Sequence, residues 1–323
     1  MGSGGTSGVE KYSLRKAWSD ALLELGRKRK NVVVLDADLA TSTQTARFRE
    51  VFPDRFFDMG IAEADMIDTG VGLALTGKLV FVSTFAMFAT GKPWEQIRNS
   101  AAYSGVHLNI VATHSGISVG EDGASHQCIE DIALMRIIPD TTVIAPADDV
   151  ATYDLVMKIA DSEGLCYMRL TRPNLPRIYK EGETFEIGKA KVLRKGTNLT
   201  IVATGSMVWA SLEASDILAS DGISAGVIDM HTIKPLDGNA VLEAAEHSGF
   251  IVTVEEHTVI GGLGEAVSSL LAEHRPTPVA RIGVDDRFGE SGSCGDLMDS
   301  FGFTPEKIAK KIRKTLASRN PVK

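Results

Sequence analysis

The chain has 323 residues, of which 44% are hydrophobic, 24% charged and 6% aromatic; this excludes wholesale disorder, and it points to two domains of about 150 residues rather than one oversized core. With 34 Lys and Arg against 42 Asp and Glu the net charge is −8, so there is no cationic excess to collect the phosphates of a nucleic acid. No run approaches the roughly 18 apolar residues of a membrane span, and no charged-then-apolar signal peptide opens the chain, so a cytoplasmic protein with no membrane association is expected.

The opening MGSGGTSG, residues 1–8, has the composition of a flexible Gly/Ser arm and is set aside. Glu10–Leu25 reads as a helix, with Leu14, Ala17, Trp18, Ala21, Leu22 and Leu25 at helical spacing, and Ala62–Leu75 reads as another. Between and beyond them the short apolar runs NVVVLDAD, LVFVSTF, LNIVATH, TTVIAPAD and CYMRLTR read as strands. That alternation predicts an α/β domain over 9–175, a parallel sheet covered by helices. The Pro-, Gly- and charge-rich stretch PNLPRIYKEGETFEIGK loses apolar periodicity, and a linker is expected over 176–190. From 191 to 323 the strands NLTIVATGS, ISAGVIDM, GFIVTVEEH and PVARIGV alternate with helical DILAS, AVLEAAEHSG and EAVSSLLAEH, predicting a second, smaller α/β domain. Cys128, Cys166 and Cys294 are widely spaced with no CxxC and are expected to be reduced thiols.

Chemistry concentrates in four places. THSGISVGEDGASHQ follows an apolar run, so His114, Glu121, Asp122 and His126 should share a loop at the carboxyl end of a strand, where open α/β sheets bind ligands. A solvated loop with incidental charges is the plainer reading; a metal site is the other rival, but the spacing matches no zinc pattern. In GIAEADM, Glu63 opens a helix. It is either a partner of the helix dipole or a buried carboxyl facing a ligand with its pKa raised by desolvation, and the sequence leaves both open. Phe85 and Phe88 in STFAMFATG, three apart after a strand, read on spacing alone as core packing. Arg172, in RLTRPNLP, is expected to end a strand and offers a planar fork for phosphate or carboxylate, or else a surface salt bridge. GGLGEAV has the strand–glycine–helix order of an anion-binding turn, but a close turn explains it equally well.

Taken in order, GIAEADM, STFAMF, THSGISVGEDGASHQ, TRPNLP and the late RFGESG and FGFTPEKI resemble transketolase, and the likeness covers only that family's pyrimidine-binding and C-terminal domains. The chain is similar to the C-terminal subunit of a split transketolase. The resemblance implies a thiamin diphosphate-dependent enzyme moving a two-carbon ketol unit from a ketose phosphate to an aldose phosphate. The GDG segment with its later Asn, which holds the diphosphate and metal in such enzymes, is not in the sequence. The diphosphate and its Mg2+ or other divalent metal are therefore expected on a separate N-terminal diphosphate-binding subunit, in an α2β2 heterotetramer.

By the same resemblance, Glu63 is the glutamate that hydrogen-bonds the aminopyrimidine, Phe85 and Phe88 are aromatics around that ring, and Asp38 lies near the cofactor and the subunit contact. Arg15, Arg172 and Ser42 bind the sugar phosphate, Asp122 hydrogen-bonds the substrate 2-hydroxyl, and His114 and His126 serve the reacting end. Gly91 stands where several members place a third aromatic. The rivals are the C-terminal portion of deoxyxylulose-phosphate synthase, the beta subunit of a 2-oxo-acid dehydrogenase, and a non-catalytic module of the same fold; the GEDGASHQ loop and TRPNLP favour transketolase over the first two.

Overall fold

The computed structural model describes residues 9–319; the Gly/Ser arm expected over 1–8 lies outside the described residues. The first helix is Leu14–Lys28 rather than Glu10–Leu25. Lys11–Tyr12 is drawn off into an antiparallel pair with Leu175–Pro176, and the Ser13 side chain accepts the Lys16 N–H, which starts the helix there. Arg27 and Lys28 in its last turn suit the negative end of the helix dipole. Its apolar stripe is buried, with Trp18 against Phe81 at a ring separation of 5.5 Å.

The first sheet has seven strands, in the order Thr232–Lys234, Thr141–Ile144, Leu165–Arg169, Leu108–Ala112, Leu79–Ser83, Val32–Asp36, Phe56–Asp58. Six run parallel, and their near-continuous Val, Ile and Leu content matches strands covered on both faces. The Thr232–Lys234 strand joins antiparallel from the second half of the chain, a crossing that the strand pattern did not reveal. The second sheet has five strands, ordered Val279–Val284, Ile251–Thr258, Leu199–Ala203, Ala225–Asp229, Lys191–Arg194, with only the last antiparallel.

The stretch 176–190 is anchored at several points between exposed residues. Asp148 accepts the N–H groups of Ile178 and Tyr179 at 2.8 Å, the Tyr179 hydroxyl donates to Asp229 at 2.6 Å, and Phe185 is buried. Two apolar clusters each draw on both halves of the chain, one joining Trp18 and Phe81 to Ile201 and Phe303, the other joining Val82 and Ile110 to Val202 and Ile251. The two sheets are therefore held by shared core. All three cysteines are free thiols. Among the described residues no helix is long and apolar enough to cross a membrane.

Candidate active site

Register brings the carboxyl ends of four adjacent parallel strands into line, with Asp36 opposite Ser83, Val82 opposite Ile110 and Ala112 opposite Arg169. Residues that follow these strands share one edge, where open parallel sheets collect ligands. Asp38 follows the first strand, Phe85 and Phe88 the second, and the His114–His126 loop the third. Arg172 follows the fourth, but three residues beyond its end at Arg169; Pro173, which has no N–H to give a ladder, is preceded by a bend.

Spacing alone reads Phe85 and Phe88 as core; Phe85 is buried as expected, Phe88 only in part, and both lie among other rings. The Phe85 ring lies 3.8 Å from the His114 imidazole, tilted by 25°, and 6.1 Å from the nearly parallel ring of Phe88. His126 stands edge-on to Phe88 at 5.3 Å. Four rings from two segments of the chain thus form one wall, and Phe88 keeps part of its surface open. Beside it, a Cβ on Gly91 would lie 2.7 Å from the methyl of Met87, so Met87 fills the space that a side chain at 91 would need.

Glu63 opens the helix Glu63–Leu75 and is 3% exposed. Its Oε2 is 2.6 Å from the Nζ of the half-exposed Lys92, which also lies 5.6 Å from the Phe88 ring centroid. A carboxylate and an aromatic face therefore meet at one ammonium group. Each sequence reading of Glu63 describes part of this, since it sits in the first turn and is also buried. Lys92 was not anticipated; its only signal is a lone cation among the small residues of ATGKPW.

Arg15 donates to the carbonyls of Ser42 and Arg172, both at 3.0 Å, and its buried Nε has no acceptor among the described residues. Burial, and then the nearby charge of Arg172, pull the Arg15 guanidinium below its ordinary pKa. Arg172 donates to Val119 O at 2.5 Å and lies 3.4 Å from Glu121 and 4.0 Å from Asp122. Two neighbouring guanidiniums, of which that of Arg172 is 39% exposed, suit an anion. Ser42 enters through its carbonyl; its hydroxyl bonds neither arginine among the described residues.

His114 is 4% exposed, with φ +59°, a left-handed conformation uncommon for a side-chain-bearing residue. Its Nδ1 is 2.7 Å from Thr113 Oγ1, and Nε2 makes no bond among the described residues. Burial first, then Arg15, Arg172 and His126, push its pKa down to about 3, so the ring is neutral at physiological pH. Asp38 is also left-handed, at φ +61°, but it is exposed, donates its N–H to Asp58 at 3.1 Å, and touches neither the rings nor the arginines among the described residues.

Among the described residues no group of three or more His, Cys, Asp or Glu side chains is arranged to hold a metal ion. The GGLGEAV turn does bind an anion, but the chain supplies it. The buried Glu255 carboxylate accepts the N–H groups of Leu263 and Gly264 at 2.6 and 2.7 Å, at the start of the helix Leu263–His274.

Residues 10–177 match the family model for the transketolase pyrimidine-binding domain, and residues 188–308 match that for the transketolase C-terminal domain. The chain belongs to the transketolase family. A protein of Methanocaldococcus jannaschii described as a transketolase C-terminal section is 49% identical, with 96% of this chain and 98% of the relative covered. A 6-deoxy-6-sulfo-D-fructose transketolase subunit from Clostridium sp. strain MSTE9 is 39% identical over 97% of each chain. Human transketolase is 38% identical over 94% of this chain, which spans 49% of that longer protein. Among solved structures, one titled as a split gene transketolase, an inactive beta4 tetramer, superposes with a TM-score of 0.87 at 44% identity, covering 95% of this chain and 99% of that one.

Membership of the transketolase family implies thiamin diphosphate as cofactor. The residues at the sheet edge fit its aminopyrimidine end. A carboxylate 3% exposed and a half-buried aromatic ring meet at the ammonium of Lys92, whose half-exposed side chain solvent can take up.

Proposed function

We propose that this chain is the C-terminal subunit of a two-subunit transketolase, moving a two-carbon ketol unit from a ketose phosphate to an aldose phosphate. It acts with a separate diphosphate-binding N-terminal subunit that holds the diphosphate and its Mg2+ or other divalent metal, in an α2β2 assembly. The observation that carries this reading is the common edge. The four-ring wall and Arg172 follow the ends of aligned parallel strands, and Glu63 and Arg15 join them from the first turns of two helices.

When bound, thiamin diphosphate supplies the electron sink for cleaving and re-forming the carbon–carbon bond. Glu63 would hold the pyrimidine ring nitrogen by a hydrogen bond in place of its contact with Lys92, and Phe88 would offer the ring an aromatic face. Arg15 and Arg172 hold the substrate phosphate, which fixes the distance of the reacting carbons from it. His114, neutral and held on one side by Thr113, presents Nε2 to a substrate hydroxyl or carbonyl oxygen, and His126 serves the same end from across the rings. Asp122, exposed beside Arg172, is available to the substrate 2-hydroxyl, and the exposed Asp38 is free to meet the partner subunit.

A phosphate and a sulfonate present the same tetrahedral oxygens to two guanidiniums. The relative named for 6-deoxy-6-sulfo-D-fructose therefore supports a second reading, in which the donor is a sulfonated ketose.

The test is ketol transfer from xylulose 5-phosphate to ribose 5-phosphate with thiamin diphosphate and magnesium, by this chain alone and with the diphosphate-binding half from the same genome. Activity only in the mixture supports the split enzyme; activity of the chain alone removes the need for the second subunit. Silence in both with the phosphate donor, and turnover of the sulfonated hexose, selects the second reading. Release of carbon dioxide from pyruvate instead would transfer the chain to the oxo-acid or deoxyxylulose chemistry.

A further inference from the structure

The strand Ile251–Thr258 ends in three consecutive titratable residues, Glu255, Glu256 and His257, all buried. Glu255 is used within its own domain, on the turn into the helix Leu263–His274. Glu256 bridges the two domains. Its Oε1 accepts the N–H of Ser118 at 2.7 Å, and its Oε2 accepts the Ser206 hydroxyl at 2.5 Å. It lies so close to the loop that a Cβ on Gly116 would be 2.3 Å from Oε1; Gly116, at φ +78°, is the one residue type that fits both the conformation and the contact.

The backbone groups of this turn are taken up in sequence. Gln127 Nε2 donates to Ile117 O and Gly120 O at 3.3 and 3.2 Å, and also to Glu290 O of the second domain at 2.8 Å. The Val119 carbonyl accepts from Arg172 at 2.5 Å, and the carbonyl of Arg172 in turn accepts from Arg15 at 3.0 Å. A carboxylate 2% exposed is costly to bury unless hydrogen bonds compensate it. One of those bonds is spent on a loop of the other domain, through Ser118, and the other stays within the second domain, through Ser206.

We propose that Glu256 is a positioning residue for the anion grip: by fixing Ser118 it fixes Val119, and so sets where Arg172 and Arg15 meet a substrate phosphate. The C-terminal domain contributes no residue to the sheet-edge group described above, and this gives it a part in substrate recognition. The inference rests on the proposed role of the two arginines.

The discriminating experiment compares Glu256→Ala and Glu256→Gln in the complex reconstituted with the diphosphate-binding subunit, using a phosphorylated ketose donor and hydroxypyruvate, a ketol donor without phosphate. Glu256→Ala raises KM for the phosphorylated donor at least about tenfold, while KM for hydroxypyruvate and the dissociation constant of thiamin diphosphate stay within about twofold. Glu256→Gln, which keeps an oxygen for Ser118 and an NH2 for Ser206, restores most of the loss. If the alanine variant does not fold, Glu256→Asp, shorter by one methylene, carries the same expectation. The proposal is overturned if KM for both donors rises together or neither moves. If the unsubstituted complex transfers no ketol group from any donor, the functional reading itself fails. The clamp is then decided on the full chain by hydrogen exchange of residues 113–127, where an unchanged rate in Glu256→Ala removes it and faster exchange at 116–120 keeps it.

Discussion

The Arg15 side chain donates to the main-chain carbonyl of Arg172, 157 positions away in the sequence, across 3.0 Å. One arginine thus holds the backbone from which the other projects. Arg15→Ala deprives the Ser42 and Arg172 carbonyls of a donor and lowers stability by about 1–3 kcal/mol. Arg172→Ala removes a side chain 39% exposed but also deprives the carbonyl of the buried Val119 of its donor, so it too lowers stability by about 1–3 kcal/mol. Both raise KM for a phosphorylated donor. Urea denaturation beside Michaelis kinetics checks this, and a variant that loses neither stability nor affinity for the donor contradicts it.

Lys92 is the charge partner of Glu63 in the chain without cofactor. Lys92→Met leaves that carboxylate without its cation, which raises the energy of the cofactor-free form more than that of the loaded one. Thiamin diphosphate should then bind the reconstituted complex more tightly, by about tenfold. Calorimetric titration reads this directly; weaker binding in the variant would mean that Lys92 belongs to the cofactor site rather than competing for it.

Glu63→Ala removes the carboxylate and leaves Lys92, already half exposed, to solvent. Turnover of the complex falls at least about a hundredfold. Stability changes by no more than about 1–2 kcal/mol, the scale of a lost helix-dipole contact in a partly buried setting. Far-ultraviolet dichroism and thermal melting separate the two effects, and full activity in this variant excludes Glu63 from the chemistry.

His114 has a folded-state pKa pushed down to about 3 against 6.5 in the unfolded chain. Between these values the unfolded state binds the extra proton, so the His114 contribution to stability is complete above pH 6.5 and is lost as pH falls toward 3. Relative to His114→Asn, the unsubstituted protein should lose about 1.4 kcal/mol per pH unit in the middle of that window. Denaturant melts of both proteins from pH 7 to 4 test the difference, and parallel curves would falsify the neutral buried imidazole.

Five parallel strands, the helix beginning at Glu63 and the loop carrying His114 were legible because each is local, an apolar run, a 3.6-residue stripe or a cluster after a strand. Asp38, Ser42 and Arg15 had no local signal and entered through the family resemblance alone. Phe85 and Phe88 show what spacing leaves open. Two phenylalanines three apart look the same in a core and in a ring wall, and only the arrival of His114 and His126 from another loop separates the cases. The start of the first helix was missed for a related reason, since Lys11–Tyr12 pairs with a strand more than 160 residues later.

The sequence by itself determined the α/β class, the alternation of strands and helices and the motifs of the family, since these follow from backbone sterics and side-chain burial within a few residues. Tertiary structure alone decided that Thr232–Lys234 crosses to the first sheet, that Lys92 meets Glu63, that Glu255 fills the anion turn, and that Glu256 reaches Ser118. All but the Glu255 contact, which spans eight and nine positions, join a carboxylate, a cation or a strand edge to a partner distant in the chain. A short polar interaction has no periodicity to read; it exists only once the shared core has brought the two groups within about 3 Å of each other.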